Sequence, residues 1–176
     1  MLILAISGSL RRQSSNSIAL QAAIRLAAPT MRIELYSELG ELPFFNPDLD
    51  NEGAPPSVQA FRQRIGAADG LLICSPEYAC GVAGVLKNAL DWLVSSVEFP
   101  DKPVAIINAS QRATHADAAL RMTLQTMSAR LVGNSSFVLP LQGRNLDAEG
   151  IIADTALAAI VRAALGELAE LVRCAP

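Results

Sequence analysis

Leu2-Ile3-Leu4-Ala5-Ile6-Ser7, running directly into Gly8-Ser9-Leu10-Arg11-Arg12-Gln13-Ser14-Ser15-Asn16, is the stretch that decides the fold. An apolar run from Leu2 to Ile6 without a charge reads as a strand buried on both faces, and the Ser-Gly-Ser turn closes it. Residues 16–28 then carry Ile18, Ala22 and Leu26 at helical spacing and stop at Pro29. Strand, short polar loop and helix make up the first part of a βαβ unit. The pattern recurs downstream. Gly70–Cys74 and residues 104–108 are further apolar runs, Arg32–Tyr36 alternates in the manner of a strand, and residues 136–139 read as a short fifth strand. Helical periods cover residues 58–68, 85–95, 116–131 and 151–172. Strands apolar on both faces belong to parallel sheets covered by helices on each side. The expected fold is therefore α/β, a three-layer sandwich around a five-stranded parallel sheet of order 2-1-3-4-5.

Composition sets the outer bounds. The 176 residues are 51% apolar and 18% charged, against about 25% charged in typical soluble domains. One domain spanning residues 1–176 is expected, with a covered helix face or an oligomer absorbing the surplus apolar surface. The formal charge of −3, from 14 basic and 17 acidic residues, includes no basic stripe, which argues against nucleic acid. No Lys-rich amphipathic helix suggests a membrane surface, and the opening apolar run is too short for a signal peptide or a span. Cys74, Cys80 and Cys174 are an odd set without metal-ligand spacing, so a reduced, cytoplasmic setting is expected.

In doubly wound sheets, ligands sit beyond the carboxyl ends of the strands where the winding direction reverses. For order 2-1-3-4-5 that point lies between the first and third strands, so the loops after Ser7 and after Cys74 should meet. The first loop offers free N–H groups at a helix N-terminus, the hydroxyl and amide groups of Ser9, Ser14, Ser15 and Asn16, and the guanidinium fork of Arg11. It lacks the glycine spacing of a dinucleotide loop and suits a terminal phosphate monoester. The plainer alternative is a serine-rich turn in which Ser15 or Asn16 only caps the helix.

The second loop, Ser75-Pro76-Glu77-Tyr78-Ala79-Cys80-Gly81-Val82-Ala83-Gly84, leads into Val85-Leu86-Lys87-Asn88-Ala89-Leu90-Asp91-Trp92. With Gly8, Ser9, Leu10, Arg11, Ser14 and Asn16 in the first loop, these residues resemble the two motifs of the NAD(P)H-dependent FMN reductases, the family of bacterial quinone, azo-dye and chromate reductases. The order of elements agrees over nearly the whole chain. The resemblance implies a flavodoxin-like domain that holds FMN, takes electrons from NADPH or NADH, and passes them by a ping-pong cycle to free flavin, a quinone, an azo compound or a similar acceptor. It assigns Ser9, Arg11, Ser14, Ser15 and Asn16 to the phosphate end, and Pro76, Glu77, Tyr78, Ala79 and Ser110 to the ring. It also implies a homodimer or homotetramer. Two positions depart from the family pattern: Ala79 stands for its usual Asn and Ala83 for its usual Pro. Arg112 and His115 occupy a loop that is usually glycine-rich.

Flavin supplies the difficult chemistry in such enzymes, so no catalytic side chain and no metal ligand is expected. Glu77 is read as contributing through its backbone, Lys87 and Asp91 as a surface pair four residues apart, and Trp92 as core. Cys80 is read as packed, and His115 as a capping or exposed residue. The competing function is a flavodoxin-like electron carrier without NAD(P)H activity, against which the mild charge and the 5% aromatic content argue. A flavin-free binding module is the third possibility; only Ala79 favours it.

Overall fold

Leu4, Ile6, Leu71, Ile73, Val104 and Ile106 face one hydrophobic core; Ile3, Ala5, Leu72, Cys74, Ala105 and Ile107 face another. This division follows from the two-residue period of a strand, and it explains why the runs have no polar side. The computed structural model describes residues 1–11 and 13–174. Strands β1 (Leu2–Ser7), β2 (Arg32–Tyr36), β3 (Gly70–Cys74) and β6 (Pro103–Asn108) form a parallel sheet ordered β2-β1-β3-β6. Ile6 pairs with Tyr36 on one side and Ile73 on the other, and Ile73 in turn pairs with Ile106.

The fifth position is divided between two short strands, β7 (Arg130–Leu131) and β8 (Phe137–Val138), both parallel to β6. The expected order therefore holds, with six hydrogen-bonded strands in place of five. The interruption contains Gly133 at φ +61°, a left-handed bend that lifts the chain off the ladder. Helices α1 (Ser15–Leu26), α6 (Ala148–Ala153) and α7 (Thr155–Arg173) supply the first core. Helices α3 (Pro56–Ala67), α4 (Gly84–Asp91) and α5 (Thr114–Thr126) supply the second. A short α2 (Pro47–Asn51) follows a 3-10 turn at Leu39–Glu41. Among the described residues no helix is long and apolar enough to cross a membrane.

The helical period expected over residues 85–95 gives a helix only to Asp91, and three further differences from expectation each have a local reason. The helical period over residues 116–131 stops at Thr126. There Ser128 takes φ +65° and donates its N–H to Gln125 O, while Ala129 N–H reaches back to Leu124 O, the two bonds of a Schellman cap. A serine in the position that favours glycine conceals the stop. Replacing Ser128 by Gly should raise the unfolding free energy by about 1 kcal/mol, since a left-handed residue with a Cβ costs ~1–2 kcal/mol; urea unfolding at constant m measures it. The single closing helix is divided at Asp154, whose carboxylate accepts from Ala156 N and Leu157 N at 3.1 Å and starts α7 afresh. Finally, the second loop contains an antiparallel hairpin, β4 (Glu77–Tyr78) with β5 (Gly81–Val82).

Candidate functional site

Gly8 brings the two loops together. Its N–H donates to Cys74 O at 2.8 Å, extending the β1–β3 ladder by one residue. A Cβ built on Gly8 would lie 2.4 Å from Ser75 Oγ and 2.9 Å from Ser75 Cβ. Only hydrogen fits there, so the loop after β1 and the loop after β3 touch as the winding reversal requires.

At the start of α1, Ser14 is the N-cap and its Oγ accepts from Ser17 N at 3.0 Å. Hydroxyls continue from there, Ser14 Oγ to Ser17 Oγ at 2.9 Å and Ser17 Oγ to Ser7 Oγ at 3.1 Å. Ser9 is buried; its N–H and carbonyl both meet the Ser7 hydroxyl, and its own Oγ accepts from Arg11 N at 3.4 Å. These bonds tie the end of β1 to the start of α1, and the N–H groups of Ser15 and Asn16 in the first turn have no acceptor within the helix. The capping alternative thus applies to Ser14 rather than to Ser15 or Asn16. Ser15 and the Arg11 side chain are exposed.

Asn16 is buried, and its Oδ1 accepts from Cys74 Sγ at 3.3 Å. Burial pushes the Cys74 thiol up to about 12, a backbone bond from Ala109 pulling weakly the other way. Cys74 is therefore a protonated donor at ordinary pH, and it fixes which end of the Asn16 amide is turned toward it.

A cavity of about 330 Å³ opens beyond the carboxyl ends of β1, β3 and β6, within the ~300–1,000 Å³ range of small-molecule sites. Of the residues singled out from the sequence, Ser15, Asn16, Pro76, Glu77 and Ser110 line it. Ser9, Arg11, Ser14, Tyr78 and Ala79 lie outside its lining, with Tyr78 54% exposed on the hairpin. Glu77 Oε2 accepts from Ala116 N at 2.8 Å, so its carboxylate is committed to the first turn of α5 and ties the hairpin to that helix. Trp92 is fully buried and donates through Nε1 to Pro43 O at 2.8 Å, a core residue as expected. Lys87 and Asp91 form the expected pair at 2.6 Å, and His115 is exposed. Cys80, expected to pack, is instead exposed. It shares the hairpin tip with Ala79, and both residues take positive φ, 58° and 49°. That is the backbone demand of a two-residue hairpin turn, and it turns the Cys80 side chain to solvent.

Lining residues that the sequence did not single out are Ser75, Asn108, Ala109, Ala113 and Gln142, joined by Arg112. Asn108 is the most informative. It is buried at the end of β6, its Nδ2 donates to Ala113 O at 3.0 Å and its Oδ1 accepts from Ser110 N at 3.1 Å. These bonds close the β6–α5 loop on itself, an arrangement that an Asn followed two residues on by Ser makes legible in retrospect. Gln142 comes from the loop after β8 and meets Ser110 Oγ at 3.2 Å; nothing local in the sequence marks it.

Known proteins similar in sequence and in fold bear on the chain as a whole. The model of the NADPH-dependent FMN reductase family matches residues 1–143. An NAD(P)H-dependent FMN reductase of Pseudomonas aeruginosa is 41% identical over 157 residues, covering 86% of this chain and 84% of that one. An NADPH:quinone oxidoreductase of Arabidopsis thaliana is 46% identical over 111 residues, or 60% of this chain and 56% of the plant protein. Among solved structures, a flavoenzyme NAD(P)H:(acceptor) oxidoreductase from Paracoccus denitrificans superposes with a TM-score of 0.81 at 26% identity, covering 96% of this chain and 97% of that one.

Proposed function

Because this chain belongs to the NADPH-dependent FMN reductase family, we propose that the cavity at the β1–β3 winding reversal holds the isoalloxazine ring of FMN, with the phosphate at the start of α1. The observation that carries this reading is made at Ser15 and Asn16, which belong to the first turn of α1 and also line the polar cavity of about 330 Å³. An anion at a helix N-terminus is favoured by the free N–H groups and by the dipole together. Ser9, Ser14, Ser15 and Asn16 shape the phosphate end, and exposed Arg11 closes over it with charge-assisted bonds. Pro76, Glu77, Tyr78 and Ala79 border the ring from the hairpin side, and Ser110 from the β6–α5 loop.

Bound FMN supplies the two-electron chemistry that connects NADPH or NADH to an acceptor. The chain's own part is binding and orientation. The Cys74 thiol orients Asn16, the Asn108 side chain sets the Ser110 backbone, and Glu77 anchors the hairpin to α5. Backbone N–H groups fixed in this way stabilise negative charge without a titrating side chain. Donor and acceptor use the same cavity in turn, a ping-pong order, and the acceptor is a quinone, azo compound or free flavin. The chain works in the cytoplasm as a homodimer or homotetramer, a state favoured by Phe44, Val94 and Val97, which are 90%, 67% and 88% exposed.

The phosphate assignment is tested by fluorescence titration with FMN and with riboflavin, which lacks the phosphate. FMN should bind at least about tenfold more tightly, since a charge-assisted contact is worth more than a tenfold factor. Arg11→Ala should narrow that gap several-fold. Equal affinity for the two flavins would remove the phosphate from α1.

A further inference from the structure

Two further spaces adjoin the cavity, and their sizes differ greatly. One, behind Ser75, Asn108 and Ala113, holds only about 10 Å³, enough for about one water. The other holds about 400 Å³ and is lined by Gln111, Arg112, Pro140, Gln142 and Gly143. Arg112 and Gln142 line both it and the main cavity, so they form the passage between the two. No residue of the loop after β1 lines this second space, which therefore lies away from the phosphate end of the proposed flavin site.

The chemistry of the passage is one-sided. Arg112 forms no ion pair among the described residues, whereas Arg144, nearby in sequence, is paired with Asp154 at 2.7 Å. No carboxylate lines the second space. Arg112 N–H donates to Ser110 Oγ at 3.2 Å, and Ser110 Oγ reaches Gln142 Oε1 at 3.2 Å, which fixes the loop positions of both passage residues. With Oε1 engaged, the amide N–H groups of Gln142 remain available to donate. A guanidinium with amide donors and no competing acid is a receptor for an anionic group of the phosphate class.

We infer that Arg112, with Gln142, grips the pyrophosphate of the nicotinamide dinucleotide, with the adenosine arm in the roughly 400 Å³ space lined by Gln111, Pro140 and Gly143. This rests on the FMN reductase reading. The nicotinamide has to reach the ring in the main cavity, and the remainder of the dinucleotide has to leave through an adjoining space. Of the two adjoining spaces only this one is large enough, and its entrance carries the charge opposite to that of a pyrophosphate. The inference makes Arg112 a specificity residue for the donor, in a loop where the family pattern is glycine-rich.

The test uses the FMN-loaded protein and its Arg112→Gln and Arg112→Lys variants. Anaerobic bleaching of the flavin is followed against the concentration of NADPH and, separately, of 1-benzyl-1,4-dihydronicotinamide, which carries the reacting ring and no phosphate. NADP⁺ affinity is measured in parallel by calorimetry. In Arg112→Gln, the preference for NADPH over the phosphate-free donor should fall by about tenfold or more. NADP⁺ affinity should fall with it, and Arg112→Lys should recover part of both. If Arg112→Gln leaves the preference and the NADP⁺ affinity at wild-type values, or weakens both donors equally, the inference is overturned. It is also overturned if only the reduction of an anionic acceptor such as anthraquinone-2-sulfonate suffers. Wild-type protein that neither donor bleaches would instead refute the FMN reductase reading itself.

Discussion

Gly8→Val should yield a folded protein that does not retain FMN. A Cβ at this position stands 2.9 Å from Ser75 Cβ and 3.1 Å from Ser75 Cα, so the contact cannot be relieved by turning a flexible side-chain tip. The branched side chain has to push the loop after β1 away from the loop after β3. Overpacking of this kind costs roughly 1–3 kcal/mol, which a domain of this size survives. The cost to binding is greater, because Ser75 lines the cavity and its neighbour Cys74 orients Asn16. A shift of about 1 Å in a positioned group is enough for ~100-fold losses. FMN affinity should therefore fall by at least about 100-fold, read by flavin fluorescence, while far-ultraviolet circular dichroism stays near wild type. Wild-type affinity in Gly8→Val would mean that the junction of the two loops is not part of the site.

The largest effect on stability is expected at Arg62. Its guanidinium is only 16% exposed and pairs with Asp50 at 2.9 Å, and it donates to Trp92 O from Nε at 3.0 Å and Nη2 at 2.6 Å. One side chain thus joins α2, α3 and the carbonyl that ends α4. Arg62→Ala leaves a mostly covered carboxylate and an unpaired carbonyl; breaking fully buried pairs costs ~3–5 kcal/mol, and this partly accessible one should cost about 2–3 kcal/mol. The hydrogen bond and charge of Arg62, with Ser95, hold the Asp50 carboxyl below its ordinary value of 3.8. A carboxyl lowered on folding contributes stability above its unfolded value and loses it as the pH falls through the folded one. The gap between wild type and Arg62→Ala should accordingly be widest near neutrality and shrink below about pH 4, leaving the part due to Trp92 O. Chemical denaturation from pH 3 to 7 reads this; a gap that widened in acid would contradict it.

Much of the frame was legible because it rests on periodicity. Leu2–Ser7 and Gly70–Cys74 have the expected limits, since a run apolar on both faces has only one place in a doubly wound sheet. That the loops after Ser7 and after Cys74 meet followed from topology; the β6–α5 loop and the loop of Gln142 that also line the cavity did not. What escaped were features whose residue types contradict their conformation. Ala79 and Cys80 take the positive φ of a hairpin tip where Asn-Gly would have announced it, and Ser128 occupies a glycine position at the end of α5. At Asp154 the apolar period runs on across a helix break, so only the capping bonds reveal the division.

The site shows the same contrast. Ser15 and Asn16 could be read from the loop after the first strand, Pro76, Glu77 and Ser110 from the family resemblance, and all five line the cavity. Gln142 reaches it from a loop 32 residues beyond Ser110, and only folding brings the two together. Glu77 is read from the sequence as acting through its backbone; the structure adds a role for its carboxylate, which accepts from Ala116 N. Arg112 stood out only as a departure from pattern; its meaning depends on a second space that no one-dimensional pattern encodes.

The measurement that tests the central claim most directly is the visible spectrum of the protein, mixed with FMN, desalted, and then treated with NADPH without oxygen. The account predicts a bound flavin spectrum near one FMN per chain that bleaches on NADPH and returns when a quinone is added. Protein that emerges without flavin, and that oxidises no NADPH even in excess FMN, would contradict it.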